Sequence, residues 1–521
     1  MHSGAGMEDS IISQSILYRV IRWFIYKFCI FYRESVFHRI MVKVSDTFKS
    51  WFEGSALWRF IKKEEKSGKF FEYSIFYKII QGAVNLFIAA VKKTVQLFRS
   101  AYECSILYRL LDKLVSRFEI IIGVAILIHT VVPHERWHNQ YTLVLVFCIF
   151  ALYLVKIVHD SCSSLDVRKV DIALIVFALS ALLATVTSIA PKASLRALAF
   201  YAAMFLMVLI MVNCLKTEKH VKSLMNIIIA AVTLVSLYGI WQYINKIPVD
   251  PRMVDLRYSK GVSRVYSTME NPNDYAAYLL LTMPYFIVAF LESKSKKVKL
   301  LLLALTILVL VNLVLTSTRA AWIAFAIGVF VFVFLKNRKL IPLIIIVGVA
   351  AIPFLPDSII SRLSSVGKDS SSLYRIDIWK GSLAMLKDYW ITGIGLGPET
   401  PMKLFANYSR IKTPAHSHML PIEIWLEMGL AGIISFIWFA MRMVKKSFIS
   451  IYRTKNAFLN NVIAASVASY AAILAMGLTD YVWFYPRTMN MFWFNTAIFI
   501  AAVNMALSGK DSTDTLYKGK I

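Results

Sequence analysis

Long apolar blocks alternate with short basic loops over most of this chain. From Phe118 onward, twelve blocks approach the roughly 20 residues that carry a helix across a bilayer. They centre on residues 118–133, 140–158, 170–190, 195–215, 221–243, 273–292, 298–316, 319–335, 340–355, 419–441, 459–482 and 488–507. The pattern predicts an all-α polytopic membrane protein with about twelve transmembrane helices. Two longer polar stretches interrupt it, at about 245–272 and 356–418. Within the second, Ile376, Trp379, Leu383, Leu386 and Trp390 recur at helical spacing. They predict a short amphipathic helix on the outer surface or capping a cavity.

The first 117 residues follow a different rule. A five-residue unit recurs as Ser15-Ile-Leu-Tyr-Arg19, Ser35-Val-Phe-His-Arg39, Ser55-Ala-Leu-Trp-Arg59, Ser74-Ile-Phe-Tyr-Lys78 and Ser105-Ile-Leu-Tyr-Arg109, at spacings of 20, 20, 19 and 31. Each copy offers a serine that can cap a helix, an apolar pair, an aromatic or histidine, and a base. Around the first copy, Arg19, Arg22, Tyr26, Lys27 and Arg33 share one arc of a helical wheel, and Ile16, Leu17, Ile21, Phe24, Phe28 and Phe31 fill the other faces. Region 1–117 therefore reads as basic amphipathic helices at the cytoplasmic membrane face, favouring anionic lipid. Two other readings stay open: helices packed around the bundle, and a docking platform for other membrane-associated enzymes. No acid, base or metal constellation points to catalysis there.

Composition agrees with the membrane reading. Hydrophobic residues make up 58% and the mean hydropathy is +0.61. With a cytoplasmic N-terminus, the short inner loops hold eighteen Lys and Arg, while the outer ones hold Arg136, Lys192, Arg196, Arg319 and Arg487 alone. That asymmetry fixes the orientation and puts both long polar stretches outside. It also explains the net charge of +27 without nucleic acid, because the basic residues are scattered through short loops. Cys29, Cys104, Cys148, Cys162 and Cys214 share no metal spacing and lie outside the external loops, so no disulfide framework is expected. The first apolar run is too rich in Arg, Lys and aromatics for a cleavable signal. Residues 508–521 are expected to form a disordered cytoplasmic tail.

Four external elements carry candidate chemistry. The first is Arg264 with Asn271-Pro272-Asn273-Asp274 at the entry to the sixth block. Asn-Pro-Asn reads as a helix start or a ligand contact, and Arg264 as a surface ion pair or a substrate cation. The second is the hairpin Thr316-Ser317-Thr318-Arg319. It is too tight to carry Arg319 far from lipid, so that arginine either snorkels or offers phosphate a bidentate fork. The third is the pair His416 and His418 directly before the tenth block. A carboxylate from Glu399, Glu423 or Glu427 could complete a metal set, but the spacing lacks a zinc signature and general-base work suits the pair better. The fourth is the stretch from Arg375 to Gly393, Gly395 and Gly397. No Gly-Lys-Ser/Thr follows, so the glycines read as a tight turn or a close approach to a ligand. Arginines, histidines and a glycine turn on one side of the membrane suit an anionic substrate.

The order and sidedness of these motifs resemble the superfamily of O-antigen ligases, O-antigen-type polysaccharide polymerases and bacterial O-oligosaccharyltransferases. The resemblance covers about residues 118–507. It implies a GT-C-like glycosyltransferase in the bacterial plasma membrane, with its active site facing outside. The donor is then a glycan on undecaprenyl pyrophosphate, and the acceptor a hydroxyl of a glycan, lipid or protein. His418 matches the family histidine by its distance to Glu427 and Gly429 and is the implied base. Arg264 and Arg319 match the arginines that hold pyrophosphate, and Arg375 assists. His416, Glu427, Asn273 and Gly395 are candidates for acceptor contact or support. An inverting displacement without metal or other cofactor is implied. Where the family commonly has His-Asn, this chain has His418-Met419, so His416 or Ser417 is the candidate replacement. Enzymes of polysaccharide assembly are candidate partners of the N-terminal region. A lipid-linked-glycan transporter and a membrane scaffold remain the alternatives.

Overall fold

The computed structural model describes residues 75–97, 105–160, 163–249, 264–354, 370–409 and 414–508, with scattered positions between 23 and 59 and between 360 and 367. Most of the first three repeat copies, parts of both long external loops and the tail beyond Ser508 lie outside the described residues. The chain divides into two compact units. One comprises residues 1–64 and 333–353. The other comprises residues 65–332 and 354–521 and holds every candidate site residue.

The described elements are helices throughout. In chain order they are α1 (Ile75–Gln96), α2 (Ile106–Ser116), α3 (Phe118–Val131), α4 (Asn139–His159), α5 (Ile172–Val186), α6 (Pro191–Cys214), α7 (Glu218–Ile244), α8 (Pro272–Thr282), α9 (Pro284–Glu292), α10 (Lys296–Leu315), α11 (Arg319–Lys336), α12 (Ile341–Ala351), α13 (Ser370–Tyr389), α14 (Glu399–Leu404), α15 (Leu420–Arg453), α16 (Ala457–Gly477) and α17 (Pro486–Ser508). Each of the twelve apolar blocks is helical. Among the described residues, nine spans are long and apolar enough to cross a membrane, with α8 and α9 counted together. A tenth follows if α2 and α3, bent by 76° at their junction, make one span. The remaining blocks form α5, with 15 residues, and α12, with 11. At ~1.5 Å per residue, neither reaches the ~30 Å of a hydrocarbon core. Apolar side chains such as Phe147 and Leu300 are 65% and 68% exposed, as a lipid-facing bundle requires.

α17 runs through the centre of the second unit, with 78% of its span buried. Around Trp493 it packs Phe205, Phe439, Trp483 and Phe492 with ring centroids 5.0–6.1 Å apart across this cluster. At one end of the bundle, Asp171 caps α5 and also accepts from Arg442 Nε and pairs with Lys446 Nζ, both at 2.7 Å. This pins α5 to α15, which continues to Arg453 and is too long for the bilayer alone.

The fourth and fifth repeat copies pack onto this unit. The Tyr77 hydroxyl of α1 donates to Val170 O at 2.9 Å. In the fifth copy, Ser105 Oγ accepts from Tyr108 N at 3.0 Å, and the Tyr108 ring stacks on His159 at 4.3 Å. In these two copies the aromatic position is thus a packing contact.

The most consequential departure from regular helix is at Gly429, where α15 kinks with φ 61° and ψ −159°. The kink leaves carbonyls of the preceding turn without their helical donors. The glycine turn supplies replacements: Ile394 N donates to Leu426 O at 2.7 Å, and Gly395 N to Glu427 O at 3.1 Å. In return, Leu430 N donates to Ile391 O at 3.1 Å. Backbone lies against backbone here. A Cβ on Gly429 would stand 2.1 Å from Ile391 O, and one on Gly393 would stand 2.6 Å from Gly429 N. Gly393, Gly395 and Gly397 all have positive φ, so they form a splint for the kink.

The amphipathic helix expected in the second external loop is present as α13, but its buried face differs. Ile378, Ser382, Met385 and Leu386 are buried, whereas Leu383 and Trp390 are exposed. The face turned inward is set by contact with Phe405, Ile394 and Leu426. Apolar spacing alone could not select it, because apolar residues occur on both sides of this helix.

Candidate active site

Five segments meet at one end of the bundle. Asn271 begins α8: its Oδ1 accepts from Asn273 N at 2.8 Å and from Asp274 N at 3.0 Å. Because Asn271 is the cap, the Asn273 side chain is available for other work. Its Nδ2 donates to Asp480 Oδ2 at 2.7 Å, in the turn between α16 and α17. Its Oδ1 accepts from Arg264 Nη2 at 2.9 Å.

Arg264 is half-buried. The guanidinium also donates to Thr316 O at 3.0 Å and to Thr318 Oγ1 at 3.2 Å, both in the tight α10–α11 hairpin. That hairpin turns through Ser317, whose φ is 53°. Arg319 follows as the first residue of α11 and is half-buried.

His418 stands directly before α15, also with a φ of 53°. Its Nδ1 faces Asp480 Oδ1 at 3.4 Å. Its backbone N–H donates to His416 Nδ1 at 3.1 Å, and the two rings lie 4.0 Å apart. A positive φ is sparsely populated by residues with a side chain, so His416 stabilises an unusual backbone at His418. Next to them, Ser417 N donates to the buried carboxylate of Glu423 at 2.5 Å. Arg375 of α13 brings Nη2 to 4.0 Å from Asp480 Oδ2, and Tyr374 packs edge-on to His418 at 6.2 Å.

Asp480 is therefore the hub, and it is the residue that motif reading missed. It touches His418, Asn273 and Arg375, and reaches Arg264 through Asn273. The available signal was an acidic residue in the Leu-Thr-Asp-Tyr turn directly before the last span, where an unpaired carboxylate is costly. Burial raises the pKa of Asp480, but hydrogen bonding to His418 and then the charge of Arg375 outweigh it. The net result is a carboxyl held well below its ordinary range. Burial, followed by the charge of His418, pushes His416 down to about 3 against the pull of Asp480. His416 is thus neutral at physiological pH, consistent with Nδ1 acting as an acceptor.

The other candidates lie apart from this hub. Gly395 faces Ser188 and Ser194 and belongs to the splint. Glu427 Oε1 accepts from Gly397 N at 2.9 Å, and its Oε2 accepts from Tyr201 and Tyr481 at 3.4 and 3.3 Å. It approaches the hub through Tyr481, whose ring lies 5.7 Å from His416. Glu399 is held by Arg196 at 2.9 Å. The carboxylate nearest the histidines is instead Asp480. Among the described residues, His416, His418 and Asp480 form the set whose donor atoms fall within 4.8 Å of one another. Two features disfavour a cation there: His416 Nδ1 is committed to His418 N, and the Arg375 guanidinium adds positive charge.

Fold and site together define a polytopic helical membrane protein with a histidine–aspartate pair flanked by arginines. Residues 277–437 match the family described as O-antigen ligase. That segment runs from α8 through the glycine turn, His418 and the Gly429 kink, and supports the O-antigen ligase superfamily and a glycosyltransferase or ligase activity of that general type. No curated protein shows a significant match to the chain.

Proposed function

We propose that the protein transfers a glycan from undecaprenyl pyrophosphate to an acceptor hydroxyl at the outer face of a bacterial plasma membrane, as a surface-polysaccharide polymerase or an O-antigen-ligase-like transferase. The observation carrying this reading is the chain of contacts from His418 through Asp480 and Asn273 to Arg264, with Arg375 alongside.

Asp480 holds the imidazole through Nδ1 and leaves Nε2 for chemistry, so the carboxylate sets both tautomer and ring orientation. Nε2 takes the acceptor proton as the acceptor oxygen attacks the anomeric carbon. The new C–O bond forms as the bond to the pyrophosphate oxygen breaks, and one displacement inverts the anomeric centre. Undecaprenyl pyrophosphate leaves with the negative charge. Arg264, Arg319 and Arg375 offset that charge, and fixed guanidinium donors supply the positive field without a metal. Asp480 keeps Arg375 and Asn273 in place between turnovers. Glu427 and Gly395 act at a distance, by holding the kink that presents His418.

The test is transfer in proteoliposomes containing undecaprenyl-pyrophosphate oligosaccharide and EDTA. Wild type should extend lipid-linked chains, or release carrier pyrophosphate when a separate acceptor is supplied. The first outcome identifies a polymerase and the second a ligase. His418→Ala and Arg319→Ala should each abolish both. Donor movement across the bilayer without glycan transfer would replace this reading with transport.

A further inference from the structure

The segment that presents His418 is anchored by more than Asp480. Met419 is the cap residue of α15, and its side chain makes no capping bond. A thioether is a weak acceptor, so other groups must fix the chain where it enters the helix. Ser417 N donates to Glu423 Oε2 at 2.5 Å, and the two residues are 2% and 1% exposed. Ser417 Oγ donates to Met419 O at 3.0 Å, and His418 N to His416 Nδ1 at 3.1 Å. Residues 417, 418 and 419 thus each have a backbone group bonded by a side chain.

The reach of Glu423 is unusual. In a capping box, an acid at the third helical position bonds back to the N–H of the cap residue. Glu423 is the fourth residue of α15 and reaches two positions beyond the cap, to Ser417. Ser417 N is not among the N–H groups that a helix start leaves unsatisfied. The bond therefore fixes the approach of the chain rather than the helix end. A buried carboxyl is costly, and this one stands where it holds a backbone N–H.

His418 lies between these anchors with φ 53°. Residues with a side chain populate that region sparsely, and it persists where the surroundings over-determine it. Release of Ser417 N would free the peptide before His418 to turn, and the imidazole would leave Asp480, now 3.4 Å from Nδ1. One turn further along α15, Glu427 accepts from Gly397 N at 2.9 Å. The same face of α15 therefore grips both the His418 segment and the glycine turn.

We infer that Glu423 is a positioning residue for glycan transfer: by holding Ser417 N, it locks the left-handed backbone at His418 and keeps the imidazole on Asp480 with Nε2 toward the acceptor. It acts through Ser417 rather than on substrate. The inference rests on His418 being the base of a transferase.

The experiment uses full-length protein in proteoliposomes, with undecaprenyl-pyrophosphate oligosaccharide as donor. kcat and donor KM are measured per folded molecule, with unfolding midpoints in detergent alongside. Glu423→Ala should lower kcat by about 10²-fold, the cost of a misplacement near 1 Å, and leave donor KM unchanged. Glu423→Gln retains an oxygen that can accept from Ser417 N and should keep kcat within about fivefold of wild type. Should Glu423→Ala fail to fold, Glu423→Met fills the space without the carboxyl and should show the same loss. A lower midpoint with wild-type kcat in Glu423→Ala would overturn the inference and leave a stabilising contact alone. Equal loss in Glu423→Gln and Glu423→Ala would overturn the Ser417 anchor in favour of the carboxylate charge. A raised donor KM with unchanged kcat would move Glu423 to donor binding. Absence of transfer by wild type would sink the transferase reading and this role with it, whereas transfer by wild type and Glu423→Ala alike would sink this role alone.

Discussion

Asn273 and Asp480, 207 positions apart in sequence, meet at 2.7 Å and join the start of α8 to the turn before α17. Through this bond, the residue that holds the candidate base is tied to the residue that holds Arg264. Base and phosphate-binding cation therefore share one scaffold. Asp480→Asn keeps the size and removes the charge. The rate of transfer is expected to fall by about 10²–10⁴-fold, the range for loss of effective general-base catalysis. Donor binding should not weaken, because the nearby arginines lose a competing anion. Steady-state kinetics with separate donor KM and kcat would check this; a raised KM with unchanged kcat would reject a role in orienting His418.

Arg264 addresses acceptors in different directions, among them Thr316 O, Thr318 Oγ1 and Asn273 Oδ1. A lysine has the charge but no planar fork. Arg264→Lys is expected to raise donor KM by about tenfold, close to the effect of Arg264→Ala. Restoration of wild-type KM by lysine would mean that charge alone suffices.

The kink at Gly429 predicts a stability effect outside the chemistry. Gly429→Ala places a Cβ 2.1 Å from Ile391 O in a backbone region that L-residues avoid. The cost is expected to be about 1–3 kcal/mol or more, read as a lower unfolding midpoint in detergent. Gly82→Ala is the control, since its Cβ meets nothing within 4 Å in the middle of α1. That variant should be neutral or slightly stabilised, by up to ~1 kcal/mol. Equal midpoints for the two variants would remove the splint from the account.

His416 gives the pH dependence. Its folded pKa of about 3 is depressed from the ordinary histidine value near 6.5. Between these values, the unfolded chain binds a proton that the folded chain does not. The contribution to stability is therefore present above about pH 6.5 and lost progressively as pH falls towards 3. His416→Asn removes the titrating group and keeps an acceptor for His418 N. From pH 7 to pH 4, the unfolding midpoint of wild type should fall more steeply than that of the variant. Parallel curves would assign the acid sensitivity to other groups.

Much of the architecture was legible in local pattern. Twelve apolar blocks gave twelve helical segments, because burial of backbone polar groups in lipid leaves few alternatives to helix. The short hairpin before Arg319, the α8 start at Asn271 and the serine cap at Ser105 also follow from side chains bonding to backbone a few positions away. Span lengths were less legible, since α5 and α12 end before the hydropathy does. The inward face of α13 was not legible at all: it depends on Phe405, Ile394 and Leu426, which are brought there by the rest of the fold.

The sequence by itself determined a helical membrane protein, its basic-loop asymmetry, and the motif set containing Arg264, Arg319, Arg375 and His418. Only the tertiary structure decided that Asp480 lies at the centre, that Asn273 bridges while Asn271 caps, and that Gly395 and Glu427 support a kink. The physical reason is range. Helix propensity, capping and hydropathy act over a few residues, so a sequence displays them directly. A carboxylate's choice among partners 62 and 207 positions away follows from how the packed helices bring their ends together.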